Sequence, residues 1–193
     1  MSESTGRVWI GEDEGQTALL VDGVVQSVYV DDGPLGPGYW PLMLPESLSG
    51  DALILGLGGG TVAHLLTRRF GPVPITGVEH DPRVIRLARS AFGMDLDHIS
   101  IVEGDAFQFV DAATGPYGYI AVDLFAANAI PGQIFTRPFL KRIRALLAPG
   151  GLAAFNFFRD RRTAARVQRL QQVFPRVEVR DSRKNVVAHC RAR

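Results

Sequence analysis

Residues 54–61, with the sequence ILGLGGGT, decide how the rest of the chain is interpreted. This stretch continues a short apolar run at residues 52–55 and precedes a run of helical character at residues 62–70. Its glycines therefore lie on a turn from a strand into a helix. Glycine accepts positive φ and lets a ligand approach the backbone, and a helix N-terminus adds free N–H groups and partial positive charge. The stretch predicts a binding loop, and a tight turn without a ligand is the alternative.

Composition is that of an ordinary globular domain. The chain has 193 residues, of which 46% are hydrophobic and 21% charged, enough for a sizeable core. No apolar run approaches the ~18 residues of a membrane span, and the N-terminus lacks the basic and apolar parts of a signal peptide. We therefore expect a cytoplasmic protein without a membrane partner. A lone cysteine, Cys190, and four histidines predict neither a disulfide nor a metal site.

Charge is distributed unevenly along the chain. Residues 1–50 contain eight acids against one base, whereas residues 159–193 contain eleven bases against three acids. A basic end can bind nucleic acid, pair with the acidic end within the chain or across a dimer, or form a solvated surface. Because Phe174 is the one aromatic residue among these bases, nucleic acid is not expected. The split charge is compatible with a homodimer.

Strands and helices alternate after residue 51, which predicts a Rossmann-like α/β domain with a doubly wound, mostly parallel sheet. The tail reads as an antiparallel hairpin at the sheet edge. Asp22-Gly23 predicts a short N-terminal β-hairpin, and residues 31–41 are a loop rich in Gly and Pro. We predict an N-terminal segment at 1–50 and a nucleoside-binding catalytic domain at 51–193. Expected strands are 52–56, 75–79, 99–103, 118–123 and 151–157, and expected helices lie near 61–70, 82–92, 105–112, 136–147 and 161–173.

The ends of the predicted strands indicate where a ligand binds, since open α/β sheets bind ligands beyond the carboxyl ends of their strands. Four consecutive strands end in glycines or carboxylates, namely Gly56, Gly58 and Gly60, then Glu79, then Asp105, then Asp123. Each carboxylate alone has a structural explanation, such as a helix cap at Asp105. Their coincidence at one edge predicts a ligand site.

The spacing narrows the ligand to a nucleoside. Glu79 follows the glycine loop by about twenty residues, which suits acceptance from two ribose hydroxyls. Thr61 replaces the third glycine of the dinucleotide pattern, and no P-loop lysine follows the loop. Asp105 is placed to accept from an exocyclic adenine amino group, and Asp123 lies nearest the reacting end.

Several segments together resemble the S-adenosylmethionine-dependent methyltransferase superfamily, and within it the spermidine synthase (aminopropyltransferase) branch. They are LILGLGGGT (53–61), GVEHDP (77–82), VEGDAFQFV (102–110), IAVDLFAANAIP (120–131), LLAPGGLAAFN (146–156) and, for the branch, LLVDGVVQ (19–26). The resemblance implies a class I methyltransferase fold, a homodimer, and S-adenosylmethionine or its decarboxylated form as co-substrate. The implied co-substrate residues are Gly56, Gly58, Gly60, Glu79, Asp105, Ala106 and Gln26.

The same resemblance assigns the acceptor end. Asp123 is the candidate catalytic residue, which orients the acceptor amine or takes its proton. Tyr39 and Trp40 are candidates for a lid or an acceptor pocket, and packing in the core is their alternative role. The acceptor itself is predicted to be a small-molecule amine.

Three positions depart from the spermidine synthase pattern. Gly59 stands where that branch has an Asp that holds the aminopropyl ammonium, Ala126 replaces the second acid of D-x-x-D, and Pro41 replaces the Glu of Tyr-x-Glu. An ammonium buried without a counter-charge is costly, so putrescine is expected to be a poor substrate. Three functions stay open: an aminopropyltransferase with an altered acceptor, a small-molecule methyltransferase, and a non-catalytic nucleoside- or partner-binding module.

Overall fold

A computed structural model describes residues 6–30, 38–125 and 129–192. The strands in these ranges are β1 (Val8–Asp13), β2 (Gln16–Val21), β3 (Val24–Val28), β4 (Ala52–Leu55), β5 (Ile75–Glu79), β6 (Ile99–Glu103), β7 (Tyr117–Val122), β8 (Leu147–Phe158), β9 (Arg176–Asp181) and β10 (Asn185–Arg191). The α-helices are α1 (Trp40–Met43), α2 (Thr61–Phe70), α3 (Pro82–Phe92), α4 (Ala106–Ala112), α5 (Arg137–Leu146) and α6 (Thr163–Gln171), with a 3₁₀ turn at Gly132–Phe135.

Seven strands form the main sheet in the order β6-β5-β4-β7-β8-β10-β9. Neighbours from β6 to β8 are parallel, and β10 runs antiparallel between β8 and β9. The predicted doubly wound sheet and its C-terminal hairpin are confirmed. Every residue of β4 is buried, as expected for a strand that helices cover on both faces. Because β4, β5, β6, β7 and β8 are parallel, their carboxyl ends lie together at one end of the sheet.

Successive residues of β4 join different halves of the core. Leu53 and Leu55 pack with side chains of α4, α5 and α6. Ala52 and Ile54 pack with side chains of α1, α2 and α3. This division follows from the alternation of side chains along a strand. None of the helices in the described ranges is long and apolar enough to cross a bilayer.

The N-terminal sheet has one strand more than the sequence predicted. The expected hairpin at Asp22-Gly23 joins β2 and β3, and β1 pairs with the other edge of β2. The β1–β2 turn places Glu14 and Gly15 at φ 47° and 82°. Glu-Gly is not among the strong hairpin pairs, which explains why the sequence did not reveal β1. The predicted loop at 31–41 ends too late, because α1 begins at Trp40, and residues 31–37 of that loop lie outside the described ranges.

Strand β3 is fastened to the glycine loop by two hydroxyl groups. Ser27 Oγ accepts from the backbone N–H of Gly59 at 2.7 Å. Thr61 Oγ1 accepts from the Val28 N–H at 2.9 Å and donates to the Val28 carbonyl at 2.8 Å. Thr61, which the sequence marked only as a departure from a dinucleotide pattern, thus holds the N-terminal sheet over the carboxyl edge of β4. The division into segments 1–50 and 51–193 stays a prediction.

Candidate functional site

A cavity of about 430 Å³ opens where β3 faces the carboxyl ends of β4, β5 and β7. We call it the first cavity. Its volume lies within the range of about 300–1,000 Å³ that small-molecule sites occupy. Seven of the predicted site residues line it: Gln26, Tyr39, Trp40, Gly56, Gly58, Glu79 and Asp123. The structure therefore brings the predicted nucleoside end and the predicted reacting end into one space.

Three predicted residues are not among those that line the first cavity. Gly60 has a φ of 89°, which side chains rarely adopt, and a Cβ added there would also displace the Met94 side chain, so the backbone conformation explains this glycine. Asp105 Oδ1 accepts from the backbone N–H groups of Phe107 and Gln108 at 2.8 and 2.9 Å, which caps α4. Ala106 is buried in the first turn of that helix. Their contact with a ligand stays a prediction.

Glu79 ties the end of β5 to the glycine loop. Its Oε2 accepts from the Gly58 N–H at 3.0 Å, and Oε1 accepts from the N–H groups of His80 and Asp81 at 2.8 and 3.1 Å. A carboxylate offers about four lone-pair sites, so Oε2 keeps one for a ligand hydroxyl. The imidazole of His80 also lies 3.1 Å from Oε1, and this hydrogen bond raises the pKa of His80.

Asp123 is held by side chains rather than by backbone. Tyr39 donates its hydroxyl to Oδ2 at 2.9 Å, and Asn156 donates Nδ2 to Oδ1 at 2.7 Å. Burial raises the pKa of Asp123 to about 6, although both hydrogen bonds oppose the rise. Burial and the nearby Asp123 charge raise the pKa of Tyr39, so its hydroxyl keeps its proton at neutral pH. The site thus holds a carboxylate that can gain or lose a proton near neutrality.

A chain of two asparagines supports Asp123, and the sequence analysis did not identify it. Asn185 on β10 donates Nδ2 to Asn156 Oδ1 at 3.0 Å, and both residues are buried. Asn156 stands in the buried strand β8 as the single polar residue of an otherwise apolar run, 152–158. That isolated polar residue was the available signal. The strand-end pattern of glycines and carboxylates covers only the first four parallel strands, and Asn156 lies in the fifth, β8.

A second cavity of about 550 Å³ adjoins the first. It lies between the N-terminal sheet, Phe158 and the β9–β10 turn at residues 182–184. The two cavities share four lining residues: Gln26, Tyr39, Trp40 and Phe125. The rings of Tyr39 and Trp40 pack against each other with centroids 4.8 Å apart. The aromatic pair therefore stands at the boundary between the two cavities.

The three positions that depart from the spermidine synthase pattern have different surroundings. Gly59 is buried, and a Cβ added there would lie 2.9 Å from Ser27 Cβ and 3.1 Å from Phe92 Cδ1. Pro41 lies in the first turn of α1. Neither residue lines the first cavity. Ala126 lies outside the described residues.

The charged side chains in the described lining of the first cavity are mainly acidic. Its described lining contains the four carboxylates Asp22, Glu79, Asp81 and Asp123 and no lysine or arginine. Asp81 pairs with Arg83 at 2.7 Å, which lowers the pKa of Asp81. The cavity therefore favours a ligand of positive charge. In the part of the chain that the structure describes, no cluster of His, Cys, Asp or Glu is arranged to hold a metal.

Several arginines of the basic C-terminal segment pair within that segment. Arg166 contacts Asp160 at 3.0 Å, and Arg180 contacts Glu178 at 2.9 Å. Arg180 also lies 3.7 Å from Glu46, which links the basic end to the acidic N-terminal region. Intramolecular pairing thus accounts for part of the charge asymmetry. The absence of nucleic-acid binding and the homodimer stay predictions.

Comparison with known proteins fits this arrangement of glycine loop and strand-end carboxylates. The family model "Spermine/spermidine synthase domain" matches residues 41–178. The chain belongs to the spermine/spermidine synthase family. A curated relative, "Probable polyamine aminopropyl transferase" of Bifidobacterium longum, is 34% identical over 136 residues, covering 68% of this chain and 30% of its own length. Another, "N-terminal histidine N-methyltransferase" of Emericella nidulans, is 33% identical over 141 residues, covering 68% and 25%.

Solved structures agree on the fold. A probable spermidine synthase from Corynebacterium glutamicum superposes with a TM-score of 0.83 at 22% identity, covering 98% of this chain and 78% of that chain. A spermidine synthase in complex with the transition-state analogue AdoDATO gives 0.75 at 18% identity, covering 97% and 71%. These curated relatives and structural neighbours are transferases. The chain spans about a quarter to a third of the length of the two curated relatives.

Proposed function

We propose that this chain is a spermidine synthase-like transferase that binds decarboxylated S-adenosylmethionine or S-adenosylmethionine in the first cavity. It transfers an aminopropyl-type group to an amine acceptor. One observation carries the proposal: Asp123, with its pKa raised to about 6 and donors from Tyr39 and Asn156, lines the same cavity as the glycine loop and Glu79. Amine alkylation needs a base next to the co-substrate, and a buried carboxylate beside the proposed nucleoside site can serve as that base.

The residues present fit an adenosine sulfonium. Gly56 and Gly58 expose backbone to the cavity at φ 85° and 55°, where side chains are disfavoured. Glu79 offers the remaining lone pair of Oε2 to a ribose hydroxyl. When bound, such a co-substrate supplies an electrophilic carbon and a neutral thioether as leaving group.

Asp123 is proposed to prepare the acceptor nitrogen. An acceptor ammonium must lose a proton before its lone pair can form the new N–C bond, while the C–S bond breaks and its electron pair stays on sulfur. Asp123 takes the proton that the acceptor ammonium loses and orients the resulting lone pair toward the electrophilic carbon, and the secondary ammonium that forms keeps its own protons. Tyr39 and Asn156 fix both carboxylate oxygens, so the base keeps one position. Alignment of this kind accounts for up to ~7–11 kcal/mol of acceleration.

The charge of the first cavity favours the decarboxylated co-substrate. Asp22, Glu79 and Asp123 line its described part without a lysine or arginine, and the fourth carboxylate there, Asp81, is paired with Arg83. Both co-substrates carry a sulfonium and one ammonium, which would find anionic partners there, whereas the α-carboxylate that only S-adenosylmethionine carries would be repelled. This supports aminopropyl transfer although Gly59 replaces the acid of the family pattern.

Methyl transfer is the second candidate, because one relative at 33% identity is named an N-methyltransferase. The same base and nucleoside residues would serve either reaction. The alternative of a non-catalytic module is disfavoured by the second cavity, which leaves room for an acceptor next to Tyr39, the residue that donates to Asp123. The cytoplasmic location predicted from the sequence remains part of this proposal.

Calorimetric titration with S-adenosylmethionine, its decarboxylated form and methylthioadenosine tests the proposal. We expect all three to bind, and the decarboxylated form to bind about tenfold more tightly than the carboxylated one, a difference of ~1.4 kcal/mol. Equal or reversed affinities for the two sulfonium compounds would favour methyl transfer. Absence of binding by all three would rule out the nucleoside site.

A further inference from the structure

Acidic and basic side chains both line the second cavity, and in the part of the chain that the structure describes they form no ion pairs with one another. Asp13 and Glu14 of the N-terminal sheet line it, as do Arg183 and Lys184 of the β9–β10 turn. Within the described ranges, none of these four side chains forms an ion pair with another residue. The charges therefore remain available to a ligand in the space they surround.

The second cavity adjoins the part of the first cavity in which Asp123 is proposed to act. Tyr39 donates to Asp123 in the first cavity and also lines the second, together with Trp40. In the proposed function the co-substrate occupies the first cavity, so an acceptor whose nitrogen lies at Asp123 extends into the adjoining space. The adjoining volume of about 550 Å³ lies past the aromatic pair.

The turn that carries the two cations is fixed relative to the reacting carboxylate. Asn185 directly follows Lys184 and reaches Asp123 through Asn156 in two hydrogen bonds, of 3.0 and 2.7 Å. The Lys184 carbonyl accepts from the Arg159 N–H at 2.8 Å. The distance between the base and the basic turn is thus determined by strands β8 and β10.

We propose that the second cavity holds the distal part of the acceptor, and that the acceptor is an amine that also carries a carboxylate, which Arg183 and Lys184 bind. This assignment rests on the proposed function, since it takes Asp123 as the reacting end. A simple diamine could pair its second ammonium with Asp13 or Glu14 but would leave the cations Arg183 and Lys184 without an anionic partner. An amino acid presents a carboxylate to those cations and leaves Asp13 and Glu14 for an ammonium.

Three compounds of matched length test the assignment: 1,4-diaminobutane, 4-aminobutyrate and 2,5-diaminopentanoate. Each is titrated calorimetrically into the protein saturated with methylthioadenosine, so that acceptor binding is measured without turnover. We expect both carboxylates to bind at least about tenfold more tightly than the diamine, the effect of one charge-assisted hydrogen bond. The double variant Arg183→Gln/Lys184→Gln should abolish the preference.

The matched control is Arg137→Gln/Lys141→Gln, which removes an exposed arginine and lysine from α5, away from both cavities. It should leave the preference unchanged. Tighter binding of the diamine, no binding of either carboxylate, or a preference that survives in the Arg183/Lys184 variant would each overturn the assignment. Failure of the proposed function shows separately, as loss of nucleoside binding in the first step of the titration.

Discussion

Two of the four carboxylates that line the first cavity, Glu79 and Asp123, are held in opposite ways. Glu79 accepts from three backbone N–H groups, two of them from the next two residues in the chain, His80 and Asp81. Asp123 accepts from two side chains, which lie 84 and 33 positions away. A carboxylate held by backbone is part of a rigid scaffold. When side chains hold a carboxylate, single substitutions of those side chains can change its pKa and its orientation. Such a carboxylate suits the end of the site where chemistry and specificity vary.

The largest expected effect is on the rate after Asp123→Asn. If Asp123 is the proton acceptor, transfer should fall by about 10²–10⁴-fold, measured as product formation with the acceptor that proves best. Methylthioadenosine affinity should stay nearly unchanged, because the nucleoside end is held by Glu79. A variant that retains a tenth of the wild-type rate would remove Asp123 from catalysis.

Stability supplies the control for this variant. The folded-state pKa of Asp123 is raised to about 6, so the ionised carboxylate costs stability above that pH and the cost disappears as pH falls below the unfolded value. Asparagine never ionises and avoids this cost. The melting temperature of Asp123→Asn at pH 7.5 should therefore not fall, and a lower value would indicate that the lost activity reflects misfolding.

Glu79→Gln should affect the nucleoside end of the first cavity. The amide keeps one acceptor oxygen but turns an N–H donor toward backbone N–H groups, so both the loop and the ribose site are impaired. We expect methylthioadenosine to bind about 1.5–3 kcal/mol more weakly, the range for hydrogen bonds to charged groups, and the melting temperature to fall. Glu103→Gln is the matched control, since Glu103 pairs with Glu79 across β5 and β6 and is exposed. Unchanged affinity in Glu79→Gln would exclude Glu79 from the nucleoside site.

These two ends also differ in how far the sequence could predict them. The glycine loop, Glu79 and the parallel sheet follow from local patterns, because each strand end and its turn are contiguous in the chain. The partners of Asp123 depend on contacts between distant segments. Asn156 could be suspected from its position in an apolar strand, but Asn185 acquires its role only through the pairing of β8 with β10. The docking of Ser27 and Thr61 likewise required the folded N-terminal sheet.

The variant Gly59→Asp tests two opposing expectations. The family pattern predicts a gain of activity from an acid at position 59, and the local packing predicts a loss of stability. Because the spermidine synthase pattern has acids at positions 59 and 126, that pattern predicts that Gly59→Asp with Ala126→Asp would raise any activity on putrescine. A side chain at 59 instead meets Ser27 and Phe92, so we now expect Gly59→Asp to destabilise the fold by about 1–3 kcal/mol, as overpacking does, without a gain in activity. Gly104→Ala is the control, because nothing lies within 4 Å of its added Cβ. The free energy of unfolding in urea measures both, and a gain in putrescine turnover would restore the family interpretation.

The smallest expected effect is a shift of the pH profile after Asn156→Ala. The Asn156 donor stabilises the ionised form of Asp123, so its removal should raise the pKa of Asp123 above its value of about 6. The reaction needs the carboxylate, and the acid limb of kcat/KM should therefore move to higher pH, by about one unit for one charge-assisted hydrogen bond. Asn185→Ala removes only the support of Asn156 and should shift the limb less. A fall in rate at every pH without displacement of the limb would mean that Asn156 merely packs, and that the Asp123 end is held as rigidly as the Glu79 end.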